Sequence, residues 1–245
     1  MQHLKAAALL SGPVLFILFP AALVGGRWAW WIAGVLAAIA VAVLWRSDTL
    51  VLRSLRAEQL EEQAVPGLCA IIRKLAHRQA MSTPCVYVIE DAAPNALLLC
   101  GPAGVSRLIL TAGLLHALSS NQLAAVIAHH MSLVKNTAAF SMTLAALYGL
   151  VLERIPGTKF LRSALLRFAA PLSLKLQADA ASAHLIGDPG PLLEALKKIA
   201  SAHSGRYAVA LSHLFLYHPL EPNILNERLS RLASLSLRPV LSSIV

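Results

Sequence analysis

Leu118-Ser119-Ser120-Asn121-Gln122-Leu123, continuing to Ala128-His129-His130-Met131-Ser132-Leu133, is the stretch on which the fold assignment of this chain turns. Ser119 and Gln122 have the spacing of a capping box, in which each side chain accepts a backbone N–H from the other residue, so a helix is expected to begin there. Just upstream, Ile109-Leu110-Thr111-Ala112-Gly113-Leu114-Leu115 reads as a strand entering a turn. On the helix His129 and His130 are neighbours, about 100° apart around the axis, so their rings diverge and do not chelate one ion.

A helix that holds a catalytic zinc ion carries two histidines four residues apart, with a glutamate beside the first to polarise the metal-bound water. Here only His129 is in place. His130 stands at the glutamate position and Leu133 at the second histidine, and a leucine has no lone pair to give a cation.

Several separated runs accompany this helix in a fixed order. They are Pro94-Asn95-Ala96, Ile109 to Leu115, Leu123 to His129, and Lys175-Leu176-Gln177-Ala178-Asp179 with Leu185-Ile186-Gly187-Asp188-Pro189; last come His218-Pro219 and Glu227-Arg228-Leu229. Together they resemble the HtpX-type membrane zinc metallopeptidases, relatives of the CAAX prenyl proteases, over nearly the whole chain. The resemblance implies a mainly α fold with a small β-sheet, a zincin-like domain behind a transmembrane hairpin. It also implies an edge strand after Pro94 with which a substrate peptide pairs, with Asn95, Leu108 and Leu110 as substrate-binding candidates.

By the same resemblance Lys175 replaces the third ligand, a glutamate, while Asp179 and His218 are retained. An ammonium has three donors and no free pair, so it repels a divalent cation. The degenerate positions His129, His130, Leu133 and Lys175 therefore imply a pseudopeptidase with no metal or other cofactor and no enzymatic activity, a binding, structural or accessory subunit of a membrane complex. The alternative is an active membrane zinc metalloendopeptidase with unorthodox ligands, in membrane protein quality control, for which Cys100, His129 and His184 are a rearranged donor set. Lys175 has two readings: its ammonium replaces part of the lost metal charge beside Asp179, or it reaches solvent along its own alkyl stem.

Hydrophobic residues make up 57% of the chain and charged residues 13%, against about 25% charged in a typical soluble domain. Ala6 to Val24 and Trp28 to Trp45 carry no charge, and each is close to the roughly 20 residues that span a bilayer. Residues 1–47 are thus expected to form a transmembrane hairpin and 48–245 a cytoplasmic peptidase-like domain. Within it, a hydrophobic helical hairpin at 136–174 lies in or on the membrane. Lys5, Arg46, Arg53 and Arg56 against the single Arg27 of the connecting turn put both termini and the main domain in the cytoplasm, in a multi-pass protein of the inner (plasma) membrane. Cys69, Cys85 and Cys100 make no even disulfide set, as suits a reducing compartment. The net charge of +9 is scattered and lacks interleaved aromatics, which favours a bilayer with anionic lipid over nucleic acid. The expected partners are membrane proteins, the bilayer and extended peptide segments.

Of the remaining elements, Leu52 to Lys74 reads as one amphipathic helix, and Cys85–Ile89, Leu97–Leu99 and Leu108–Leu110 read as strands. Phe160 to Leu174 reads as a fourth apolar stretch. Turns are expected at Pro94, Gly101-Pro102 and Gly187-Asp188-Pro189-Gly190.

Overall fold

The structure is a computed structural model describing residues 2–24, 26–102, 104–135, 138–202, 211, 214–216 and 222–242. Helices α1 (Gln2–Val24) and α2 (Arg27–Trp45) open the chain. Their spanning windows have mean hydropathies of 2.1 and 2.0, yet only 11% of each is buried inside the protein. A soluble core helix this apolar would be covered, so these two are solvated by lipid. Trp28, Trp30, Trp31 and Trp45 are all exposed along α2, as interfacial anchors are.

The expected helix from Leu52 to Lys74 is instead two. α3 (Ser47–Ser54) ends before Arg56, which has a positive φ of 52°, the two-residue strand β1 (Glu58–Gln59) follows, and α4 (Pro66–Arg78) starts afresh. Pro66 accounts for the fresh start of α4. It lacks an N–H and clashes with a preceding turn, so it opens a helix and does not continue one.

Strands β2 (Cys85–Ile89), β3 (Ala96–Cys100) and β4 (Ser106–Thr111) join β1 in a four-stranded sheet of order β1-β2-β4-β3. β2 runs parallel to β4, with Tyr87 opposite Ile109, and β3 runs antiparallel to it, with Leu98 opposite Leu108. β3 is therefore the far edge. All five of its residues are buried, because each face of the sheet has its own core. Ala96, Leu98, Leu108 and Leu110 pack with Leu68, Ile72, Val126, Leu192 and Leu232, whereas Leu97, Leu99 and Ile109 pack with Leu9, Leu44, Val51 and Met142. Burial on both faces explains an unbroken apolar run where a half-buried strand would alternate.

α5 (Ala112–Ala117) leads to α6 (Ser120–Lys135). The capping box forms reciprocally, with Gln122 N–H donating to Ser119 Oγ at 3.4 Å and Ser119 N–H to Gln122 Oε1 at 3.2 Å. α7 (Ala138–Glu153) is largely buried, packed on α1, α3 and β3. The apolar stretch from Phe160 to Leu174 breaks at Pro171 into α8 (Lys159–Ala169) and α9 (Leu172–Ile186). α8 exposes Phe160, Leu161 and Phe168, and Lys5 of α1 donates to the Phe168 carbonyl at 2.7 Å. Gly187 ends α9 in the left-handed region, φ 89°, as a C-cap glycine does. α10 (Gly190–Ser201) and α11 (Pro222–Ser242) complete the fold.

Gly113 is the tightest point of the strand-to-helix junction. Its N–H donates to Asp91 O at 2.8 Å, and a Cβ there would sit 2.0 Å from the Ala92 carbonyl oxygen. Gly113→Ala should therefore destabilise the protein by about 1–3 kcal/mol, whereas Gly67→Ala on α4, which meets nothing within 4 Å, should be neutral. Thermal melts of both variants in detergent check this, and equal midpoints would show that the junction tolerates the shift.

Candidate functional site

The site lies where α6 and α9 pack against each other in opposite directions. Ser182 Oγ on α9 donates to Ala125 O on α6 at 2.7 Å. One helical step along each helix brings Asp179 to His129, and His129 Nδ1 lies 2.7 Å from Asp179 Oδ1. The approach is short but lies off the ring's N–H direction, which makes it a close polar contact more than an aligned hydrogen bond. By the same helical spacing the next step pairs the levels of Leu133 and Lys175, the two positions at which the resemblance implies further ligands.

Asp179 has a second and stronger partner. Arg228 of α11 donates Nε to Oδ2 and Nη2 to Oδ1, both at 2.7 Å, in a two-pronged pair, and its Nη1 donates to the Leu216 carbonyl at 2.5 Å. Arg228 is only 2% exposed. Burial alone would raise the Asp179 pKa, but Arg228 and then His129 outweigh it and hold the carboxyl ionised, well below the ordinary range. Removing one member of such a buried pair strands the other, at a cost of about 3–5 kcal/mol.

The two histidines are both buried. Burial lowers the His129 pKa, Asp179 opposes it, and the charges of Arg228 and Lys175 add to the lowering. His130 is pushed down to about 3 by burial and then by His129, with the Ala96 and Val126 backbone opposing. Its Nδ1 lies 3.2 Å from Val126 O, and its Nε2 has no hydrogen-bond partner among the described residues. The ring centroids are 5.2 Å apart at 63°, which is the divergence expected from adjacent helix positions.

His130, Leu133 and Lys175, the positions at which the resemblance implies a base and two ligands, are all buried. Among the described residues no group of three or more His, Cys, Asp or Glu could hold a metal ion. The residues at these positions do not fit zinc. The rearranged set of Cys100, His129 and His184 does not form among them either. Cys100 sits on β3, its N–H donating to Thr143 Oγ1 at 3.0 Å and its thiol pKa raised by burial, while His184 lines a surface cavity with Arg78, Gln79, Ser132 and Lys135.

Lys175 is 5% exposed, so it does not reach solvent, and its charge acts on His129. Arg228 is in direct contact with Asp179. The signal for Arg228 was present in the sequence: it falls between Leu225, Leu229 and Leu232 on the stripe with which α11 packs on the core, where a charge demands a buried partner. Asn95 is buried at the start of β3; its N–H donates to Thr111 Oγ1 at 2.8 Å and its Oδ1 accepts the Ala96 N–H at 3.0 Å. Leu108 and Leu110, expected at a substrate edge, lie fully buried on β4 between β2 and β3, so the edge belongs to β3. His218 lies outside the described residues.

The depressed His130 pKa fixes the sign of a pH effect. An unfolded histidine takes its proton near 6.5, while the folded one waits until about 3. The unfolded state thus binds more protons in that window, and stability present above pH 6.5 is lost as pH falls toward 3. His130→Gln should flatten the acid limb of the stability curve by up to one proton, about 1.4 kcal/mol per pH unit. Urea midpoints between pH 7 and 4 check this, and an unchanged slope would exclude a buried neutral His130.

A family model described as peptidase family M48 matches residues 62–236. The "Protease HtpX homolog" of Desulfatibacillum aliphaticivorans is 28% identical over 259 aligned positions, covering 89% of this chain and 82% of that protein. The crystal structure of S. mikatae Ste24p shares the fold with a TM-score of 0.53 at 18% identity, over 94% of this chain and 64% of that one. This chain thus spans under two thirds of the Ste24p length. A peptidase family and a relative named as a protease overturn the expectation that the chain is not an enzyme, which rested on replaced ligands alone. With its small sheet, the packed helices α6 and α9 and a match across most of its length, the chain belongs to peptidase family M48.

Proposed function

We propose that this protein acts on extended segments of membrane proteins as a membrane-anchored endopeptidase of the M48 family with an unorthodox active centre, in membrane protein quality control. The observation that carries this reading is the buried His129–Asp179–Arg228 network, which fixes one family position in place at the α6–α9 contact. Family membership and the protease-named relative support hydrolysis of peptide bonds. Edge strand β3 supports the substrate class, since adding a strand to a sheet edge recognises extended backbone through its amides and carbonyls. The family is zinc-dependent, and the replacements at His130, Leu133 and Lys175 mean that its usual three-ligand centre is not what this chain offers. Membrane proteins, within a larger membrane complex, are the partners of this reading.

Wild-type protein in proteoliposomes, incubated with a co-reconstituted membrane protein and separately with casein, should release fragments that His129→Ala reduces to background. Intact substrates after prolonged incubation, with zinc supplied, would overturn peptidase action.

In this reading both termini and the M48 domain face the cytoplasm of an inner-membrane protein, because Lys5, Arg46, Arg53 and Arg56 lie at one side and Arg27 alone at the other. Gly26→Cys should react with a membrane-impermeant maleimide added to intact cells, and the exposed Cys85 should react only after lysis. The opposite labelling order would invert the orientation.

A further inference from the structure

The free side of β3 is already paired. Leu97 forms an antiparallel bridge with Phe215, and Leu216 N–H donates to Ala96 O at 2.9 Å. β4 holds the opposite side of the strand, with Leu97 facing Ile109, so Phe215 and Leu216 sit where an added strand would sit. Leu214, Phe215 and Leu216 are all buried. Leu214 and Phe215 join the core that contains Leu97 and Ile109, and Leu216 joins the other core, so Phe215 and Leu216 point to opposite faces as neighbours in a strand do. The Leu216 carbonyl is clamped by the same Arg228 that holds Asp179. Further along the strand, the Cys100 N–H donates to Thr143 of α7.

We propose that residues 214–216 occupy the strand-addition edge of β3 as an internal stand-in for a peptide, and that an extended segment with bulky apolar side chains binds by displacing them. The inference rests on the peptide-edge reading of the preceding subsection. Exchange replaces one backbone bond, one bridge and one set of apolar contacts with another of the same kind, so it is close to balanced. Arg228 couples the two arrangements to the site, because it loses the Leu216 carbonyl when the segment leaves. Recognition is selective for consecutive bulky apolar residues, since the positions of Leu214, Phe215 and Leu216 open into the two cores.

Leu97 and Phe215 are a non-hydrogen-bonded antiparallel pair by the position of the Leu216–Ala96 bond, the pairing in which side chains lie closest and a disulfide fits. Leu97→Cys with Phe215→Cys, in full-length protein carrying Cys69→Ala, Cys85→Ala and Cys100→Ala, gives a lock that reductant opens. The probe is a fluorescein-labelled Ser-His-Leu-Phe-Leu-Tyr peptide, with Ser-His-Asp-Phe-Asp-Tyr as control, read by anisotropy in detergent. Reduced protein should bind the first peptide at least about tenfold more tightly than oxidised protein. Equal binding in both states overturns the displacement and leaves the peptide-edge reading standing, whereas no binding in either state overturns both. Hydrogen exchange on wild-type protein gives an independent readout should the cysteine variant fold poorly. Saturating peptide should raise deuterium uptake across 211–216 while 96–100 stays protected, and unchanged uptake at 211–216 with peptide bound would reject the proposal.

Discussion

Everything near the site depends on one buried carboxylate. Asp179 accepts from Arg228 at both oxygens and touches His129 with one of them, so three helices that are distant in sequence meet at a single charge. An ionised carboxylate with no partner in such a place would be far too costly, and protonation is the ordinary escape. Here the guanidinium supplies a planar fork that satisfies both oxygens at once, which a lysine in its place would not do. The arginine then uses its remaining nitrogen on the Leu216 carbonyl, so the arrangement of α6, α9, α11 and the strand edge is set jointly.

Two cations lie buried in this part of the interior, Arg228 on Asp179 and Lys175 on α9. Burial is the largest influence lowering both histidine pKa values; at His129 the Asp179 carboxylate opposes it and the charges of Arg228 and Lys175 add to it, while at His130 the neighbouring His129 adds to it.

Much of the architecture was legible in local sequence. The capping box at Ser119 and Gln122, the strands at Cys85–Ile89 and around Leu98 and Ile109, and the glycine stop at Gly187 all follow from residue chemistry within a few positions. The one helix misread, Leu52 to Lys74, follows apolar periodicity through Pro66, which opens a new helix and does not continue one. The role of Arg228 and the cover on β3 have a different character. Both join residues far apart in the chain, such as Leu97 with Phe215, and pairing across that separation leaves no local periodicity to detect. A charge on an apolar stripe announces that a partner exists without saying which one.

The second core has a wall made of membrane helix. Leu9 of α1 and Leu44 of α2 share it with Leu97, Leu99 and Ile109 of the sheet, and α1 also packs on α7. The two apolar helices are therefore part of the sheet's own core and not a separate body. Removing them would strip cover from Leu97, Leu99 and Ile109 and take α1 away from α7. The anchor works as a structural member, and a fragment without it would be a different, stickier molecule.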